Sequence, residues 1–99
     1  YFLFSGSLND KGESWCPDCV KAEPAIEEVV TKLPDTVHFV KVFVGNREFW
    51  KNNDCPFRKD KKIHVGSLPT IIKWGNPERL EGTDFDNKDV IEMAFEEDL

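Results

Sequence analysis

The segment "SWCPDCVKAEP", Ser14 to Pro24, sets Cys16 and Cys19 three positions apart around Pro17 and Asp18. Three chemistries use such a pair. A structural zinc site takes four ligands, usually as two closely spaced pairs. Here the others would have to come from Cys55, His64 or His38, and Cys55 and His64 lack the spacing of a second knuckle. No metal site is therefore expected. A static disulfide across so small a loop removes little chain entropy and stabilises weakly. The third chemistry is thiol–disulfide exchange. If a helix starts at the pair, Cys16 stands at its N-terminus, where unpaired N–H groups and the helix dipole favour a negative charge. That charge is the thiolate, the attacking species. A free thiol with a pKa of ~8.5 is only a few per cent ionised at neutral pH, whereas a pKa near ~7 makes about half of it reactive. Cys19, one turn later, faces inward and can attack a mixed disulfide formed on Cys16, so the spacing serves capture and then release.

The flanking residues bear on that chemistry. Pro17 suits a first helical turn, where its missing N–H costs nothing. Asp18 favours the helix start, but beside Cys16 its charge makes the thiolate less favourable than a neutral residue would. Trp15 offers a flat apolar surface next to the sulfur, or else simply packs into the core.

The elements that must hold these residues follow from patterning. "YFLFSG" reads as a short buried strand ending at glycine, and "SLNDKGES" as a polar loop. The helix beginning at the cysteines carries Ile26, Val29, Val30 and Leu33 on one face. Pro24 should kink it or begin its second half, and Pro34 should stop it. Val37 to Gly45, "VHFVKVFVG", suits a strand covered on both faces. The segment "NREFWKNNDCPFRKDKKIH" suggests one or two short helices, turning at Asn52–Pro56. "TIIKW", Thr70 to Trp74, is a second clear strand; "GNPE" is a turn and Arg79–Gly82 a returning strand. A C-terminal helix follows a cap at Asp86 or Asn87, with Ile91, Ala94 and Phe95 on one face. Such alternation makes the fold class α/β, one sheet with helices packed on it.

With 99 residues, the chain has length for a single domain, residues 1–99, and its 39% hydrophobic content supplies one modest core. The net charge of −6 gives no electrostatic reason to bind nucleic acid or an anionic membrane, and no apolar run is long enough to span a bilayer. Three cysteines are too few, and odd in number, for a secreted disulfide scaffold. No signal peptide is visible.

A tryptophan-led Cys-x-x-Cys, a proline five residues after the second cysteine, and Leu68-Pro69-Thr70 entering an apolar strand together resemble the thioredoxin superfamily. The Cys-Pro-Asp-Cys form, the long loop before it, "AEP" after it and "FWK…FRK…LPT…KWGNPERL" downstream narrow the resemblance to one branch and extend it over essentially the whole chain. The resemblance implies a thioredoxin-like fold, a central mixed β-sheet flanked by helices. It implies a cytoplasmic, monomeric disulfide reductase with no bound cofactor, recharged by NADPH through thioredoxin reductase. Its implied substrates are small disulfides such as cystine and selected protein disulfides. By resemblance, Cys16 is the nucleophile and Cys19 the resolving thiol. Pro17 and Asp18 tune them, Trp15 flanks them, and Pro69 is a cis proline that leaves the backbone at Leu68 free to pair with an extended substrate.

Three departures stand out. Tyr1 falls within the first central strand, so a leading strand and helix would be missing and the sheet would lose cover. Thioredoxins carry a buried aspartate near the end of that strand, whereas the aligned position here is Leu3, so a proton relay of that kind is absent or replaced. Cys55 is not a general family feature; it reads as a turn thiol without function, or as a regulatory or intermolecular disulfide partner. Lys59, Lys61 and Lys62 read as a solvated face. A competing function class is a non-enzymatic module whose cysteine pair senses redox state and gates a partner.

Overall fold

The computed structural model describes every residue except Pro77. Its strands are β1 (Phe2–Ser5), β2 (Val40–Phe43), β3 (Thr70–Ile72) and β4 (Arg79–Glu81), and its α-helices are α1 (Pro17–Val30), α2 (Arg47–Lys51), α3 (Pro56–Lys59) and α4 (Lys88–Phe95). The strands form one mixed sheet in the order β2-β1-β3-β4. β1 runs parallel to β2 and antiparallel to β3, and β3 and β4 form an antiparallel pair. A parallel partner for β1 requires a crossover, and α1 supplies it.

Alternation along the strands divides the core. Leu3 pairs with Ile71 in register, and both face α1 and α4 with Ala22, Ile26, Val29, Ile91 and Phe95. Their neighbours Phe4 and Ile72 point the other way, into a second cluster with Trp50 of α2 and Cys55 at the start of α3. The sheet is thus sandwiched between two helical layers, the thioredoxin-like arrangement.

Several elements differ from their sequence patterns. β2 is not covered on both sides: Val40 and Phe43 are 44% and 42% exposed, and β1 is its only strand partner among the described residues. Apolar content on both faces cannot tell a central strand from an edge strand. α1 runs through Pro24 without a break in assignment and ends at Val30, before Pro34 is reached. Helical hydrogen bonding gives way there to tighter turns, with Lys32 and Leu33 amides bonded to the carbonyls of Val29 and Val30. β3 stops at Ile72, leaving Trp74 62% exposed. Of the two candidate caps for α4, Asn87 does the work: its side chain accepts from the Asp89 amide, while Asp86 ends a preceding 3-10 turn, Gly82–Asp86. Ile91 and Phe95 are fully buried, but Ala94 is exposed. The turn expected at "GNPE" includes Pro77 and so falls partly outside the described residues.

Candidate active site

Cys16 and Cys19 are joined by a disulfide, with Cα atoms 5.2 Å apart. Cys16 is the N-cap of α1 and Pro17 occupies the first turn. The Cys19 amide, one of the orphan donors of that turn, points at the Cys16 Sγ at 3.2 Å. The helix start predicted from the sequence thus sets an N–H donor, a group that favours negative charge, against the Cys16 sulfur. Burial does not separate the two sulfurs as the sequence suggested. In the oxidised pair, Cys16 is 5% exposed and Cys19 6%. Their difference is one of position: Cys16 caps the helix beside exposed Pro17 and Asp18, while Cys19 lies inside the first turn.

The loop before the helix is fixed by residues the motif did not flag. Ser14 Oγ donates to the Gly6 carbonyl at 2.9 Å and accepts from the Cys16 amide at 3.2 Å. It thereby ties the end of β1 to the active-site cap. Gly6 is required by proximity: a Cβ there would stand 2.9 Å from Cys16 Cβ and 2.9 Å from the Trp15 ring. The Trp15 indole donates from Nε1 to the Gly45 carbonyl at 2.8 Å, and its ring packs partly against the second core cluster. Gly45 has φ +106°, and a Cβ on it would stand 2.7 Å from the Phe49 ring. Packing and this hydrogen bond thus fix the Trp15 side chain in the residue just before Cys16. The only signal for Gly6 and Gly45 in the sequence is that each glycine closes a largely apolar, strand-like run.

Pro69 follows Leu68 through a cis peptide bond. Two cavities flank the start of α1, and Pro69 lines both. One, of ≈ 240 Å³, also holds Ser5, Cys19, Glu23, Ile26 and Lys41 in its wall. The other, of ≈ 290 Å³, is lined by Asp18, Leu68, Pro69 and Phe85, among others. Leu68 is half-buried against the second cluster. The fold thus brings Cys19, Asp18, Leu68 and Pro69 to one end of α1, although some fifty residues separate the cysteines from the proline in the sequence.

Cys55 lies apart from this site, 2% exposed among Phe4, Val44, Trp50, Val65 and Ile72. That burial argues against the regulatory or intermolecular disulfide considered for it and fits the turn thiol, since the turn it occupies packs with Phe4 of β1 in this cluster. Among the described residues no group of three or more His, Cys, Asp or Glu side chains is placed to hold a metal ion, and no helix is long and apolar enough to cross a membrane.

A close cysteine pair at a helix start, able to exist as disulfide or dithiol, fits thiol–disulfide oxidoreductase chemistry. Comparison with known proteins agrees with the fold. Residues 1–97 match the family described as thioredoxin domain-containing protein 17-like, thioredoxin domain. The chain is 38% identical to thioredoxin domain-containing protein 17 of Mus musculus and of Homo sapiens over 98 residues, 99% of this chain and 78% of each relative. It is 36% identical to the thioredoxin-like protein Clot of Arabidopsis thaliana over 63 residues, 64% of this chain and 47% of that protein. The chain belongs to the thioredoxin domain-containing protein 17-like family.

Proposed function

We propose that this protein is a disulfide reductase that works by dithiol exchange at Cys16 and Cys19. The Cys16 thiolate attacks one sulfur of a substrate disulfide, forming a mixed disulfide and expelling the first substrate thiolate. Cys19, as thiolate, attacks Cys16 Sγ, breaks the mixed disulfide and expels the second. Two electrons pass to the substrate, and the oxidised pair is recharged from NADPH through thioredoxin reductase. The substrates are small disulfides such as cystine and selected protein disulfides, and the protein acts as a cytoplasmic monomer with no cofactor of its own. Pro17 and Asp18 tune the pair. Trp15, Leu68 and Pro69 shape the substrate side, with the Leu68 backbone pairing an extended substrate.

The observation that carries this reading is the Cys19 amide aimed at Cys16 Sγ from the first turn of α1. A donor there lowers the cost of negative charge on Cys16, which supports it as the attacking sulfur. The test is an NADPH-coupled assay with thioredoxin reductase and a series of disulfides, from cystine to folded proteins. Catalytic NADPH consumption with cystine supports the reading. Redox-dependent capture of a partner without turnover would replace it with the sensing module.

A further inference from the structure

The exchange just described needs a proton to leave Cys19 before it can attack, and the strand position that carries a buried carboxylate in thioredoxins is Leu3 here. Leu3 is 6% exposed within the apolar cluster against α1 and α4 and has no proton to exchange. The ≈ 240 Å³ cavity beside Cys19 holds an alternative. Glu23 lies four residues after Cys19 on α1, hence on the same helical face, and both line this cavity. Helical side chains lean toward the N-terminus, so the Glu23 carboxylate covers the turn that contains Cys19. Across the cavity Lys41 of β2, which also lines it, reaches Glu23 with Nζ 3.3 Å from Oε1.

From this juxtaposition we infer that Glu23, held by Lys41, is the group that accepts the Cys19 proton when the mixed disulfide on Cys16 is resolved, a role that rests on the reductase function proposed above. The cavity has room for several waters between thiol and carboxylate. Cys19 Sγ–H gives its proton through such a water to Glu23. The Cys19 thiolate then forms a bond to Cys16 Sγ as the bond from Cys16 to the substrate sulfur breaks, and the departing thiolate is protonated from solvent. Glu23 returns its proton to solvent afterwards. The titratable and charged groups facing the cavity are Glu23 and Glu27 of α1 and Lys41 of β2; β1 contributes Leu3 and the hydroxyl of Ser5, and the loop before β3 contributes Pro69. Glu27 stands a further turn from Cys19, and among the described residues it has no ion-pair partner across the cavity. As a surface ion pair, Glu23–Lys41 would add little to stability. Its place in the wall of a cavity shared with Cys19 gives it a chemical use.

Stopped-flow reaction of the reduced protein with 5,5′-dithiobis(2-nitrobenzoate) separates the steps. The first thionitrobenzoate is released in proportion to reagent concentration as the mixed disulfide forms on Cys16, and the second at a rate independent of it as Cys19 resolves. Glu23→Gln should leave the first phase unchanged and slow the second at least tenfold at neutral pH, at the low side of the ~10²–10⁴ that a positioned proton acceptor contributes. The deficit should close as pH rises past about 8.5, where a thiol ionises unaided. Glu23→Asp should recover part of the rate. Lys41→Gln, which removes the ammonium that positions the carboxylate across the cavity, should also slow the second phase and leave the first unchanged. A second phase of equal rate and pH profile in wild type and Glu23→Gln would overturn the inference while leaving the reductase intact. Absence of any adduct on Cys16 in either protein would instead overturn the underlying function.

Discussion

Gly6 lies directly against Cys16: a single methyl group added to the glycine would come within 2.9 Å of the cysteine Cβ. The end of the first strand and the cap of the active-site helix are therefore built around the missing side chain. Gly6→Ala should force the loop from Ser14 to Cys16 outward. Overpacking of this kind costs about 1–3 kcal/mol. Urea unfolding should register that loss, and reaction of the reduced Cys16 with a small disulfide should slow even where circular dichroism shows the fold retained.

Ser14 makes the same junction through hydrogen bonds. Its hydroxyl accepts from the Cys16 amide and donates to the Gly6 carbonyl. Ser14→Ala strands both backbone groups in a half-buried place, at a cost of about 1–3 kcal/mol. The measurement is again the urea midpoint, with Ser14→Thr, which keeps a hydroxyl, recovering part of the loss.

The reactive and inert thiols of this chain should be separable by alkylation. Cys55 is 2% exposed in an apolar cluster. In the native reduced protein, iodoacetamide should modify Cys16 and leave Cys55 untouched until denaturant is added, as peptide mapping would show. Cys55→Ser should cost about 1–3 kcal/mol through an unpartnered buried hydroxyl, yet keep disulfide exchange unchanged.

A polar clip at the far end of the sheet contributes to the pH dependence of stability on both sides. The Tyr1 hydroxyl donates to Asp98 Oδ2, and Lys73 Nζ lies 3.0 Å from the same oxygen. The Tyr1 hydrogen bond, then that of Lys73, holds the Asp98 carboxyl below its ordinary range. Its contribution is complete above the unfolded carboxylate's ionisation near ~4 and is lost as pH falls through the lower folded value. Burial, then Asp98, pushes the Tyr1 phenol up to about 12. The unfolded phenol ionises near ~10, so the folded state binds more protons between the two values and stability falls across that window as pH rises. Lys73, raised chiefly by its Asp98 hydrogen bond, adds loss in the same alkaline direction. Thermal unfolding against pH should show both limbs, and Asp98→Asn should shallow each of them, the lowered carboxyls of Glu28 and Asp60 keeping part of the acid one.

The sequence carried the chemistry further than the packing. Cys16, Cys19 and Pro69 were legible because each is a rare residue type in a rare setting, and β1, β3 and the start of α1 because their patterns are local. What pattern could not reveal was long-range. Gly6 is obligatory only because the strand end meets the helix cap, and Trp15 is fixed only because Gly45, thirty residues on, offers a carbonyl. The edge position of β2 depends on which strands pair, and apolar residues on both its faces read equally well as a central strand. The polar "NND" before Cys55 marks a turn but not its burial, which comes from Phe57 and Phe4 packing over it. Nothing local in the sequence marks Glu23, and only the cavity it shares with Cys19 sets it apart.

Which sulfur attacks and which resolves is tested most directly by Cys19→Ser, exposed to cystine and analysed intact and by peptide mapping in a mass spectrometer. The variant should accumulate a single half-cystine adduct located on Cys16, released by reductant and absent from Cys16→Ser. A protein that carries no adduct, or carries it on Cys55 instead, would contradict the assignment of Cys16 as the helix-activated nucleophile.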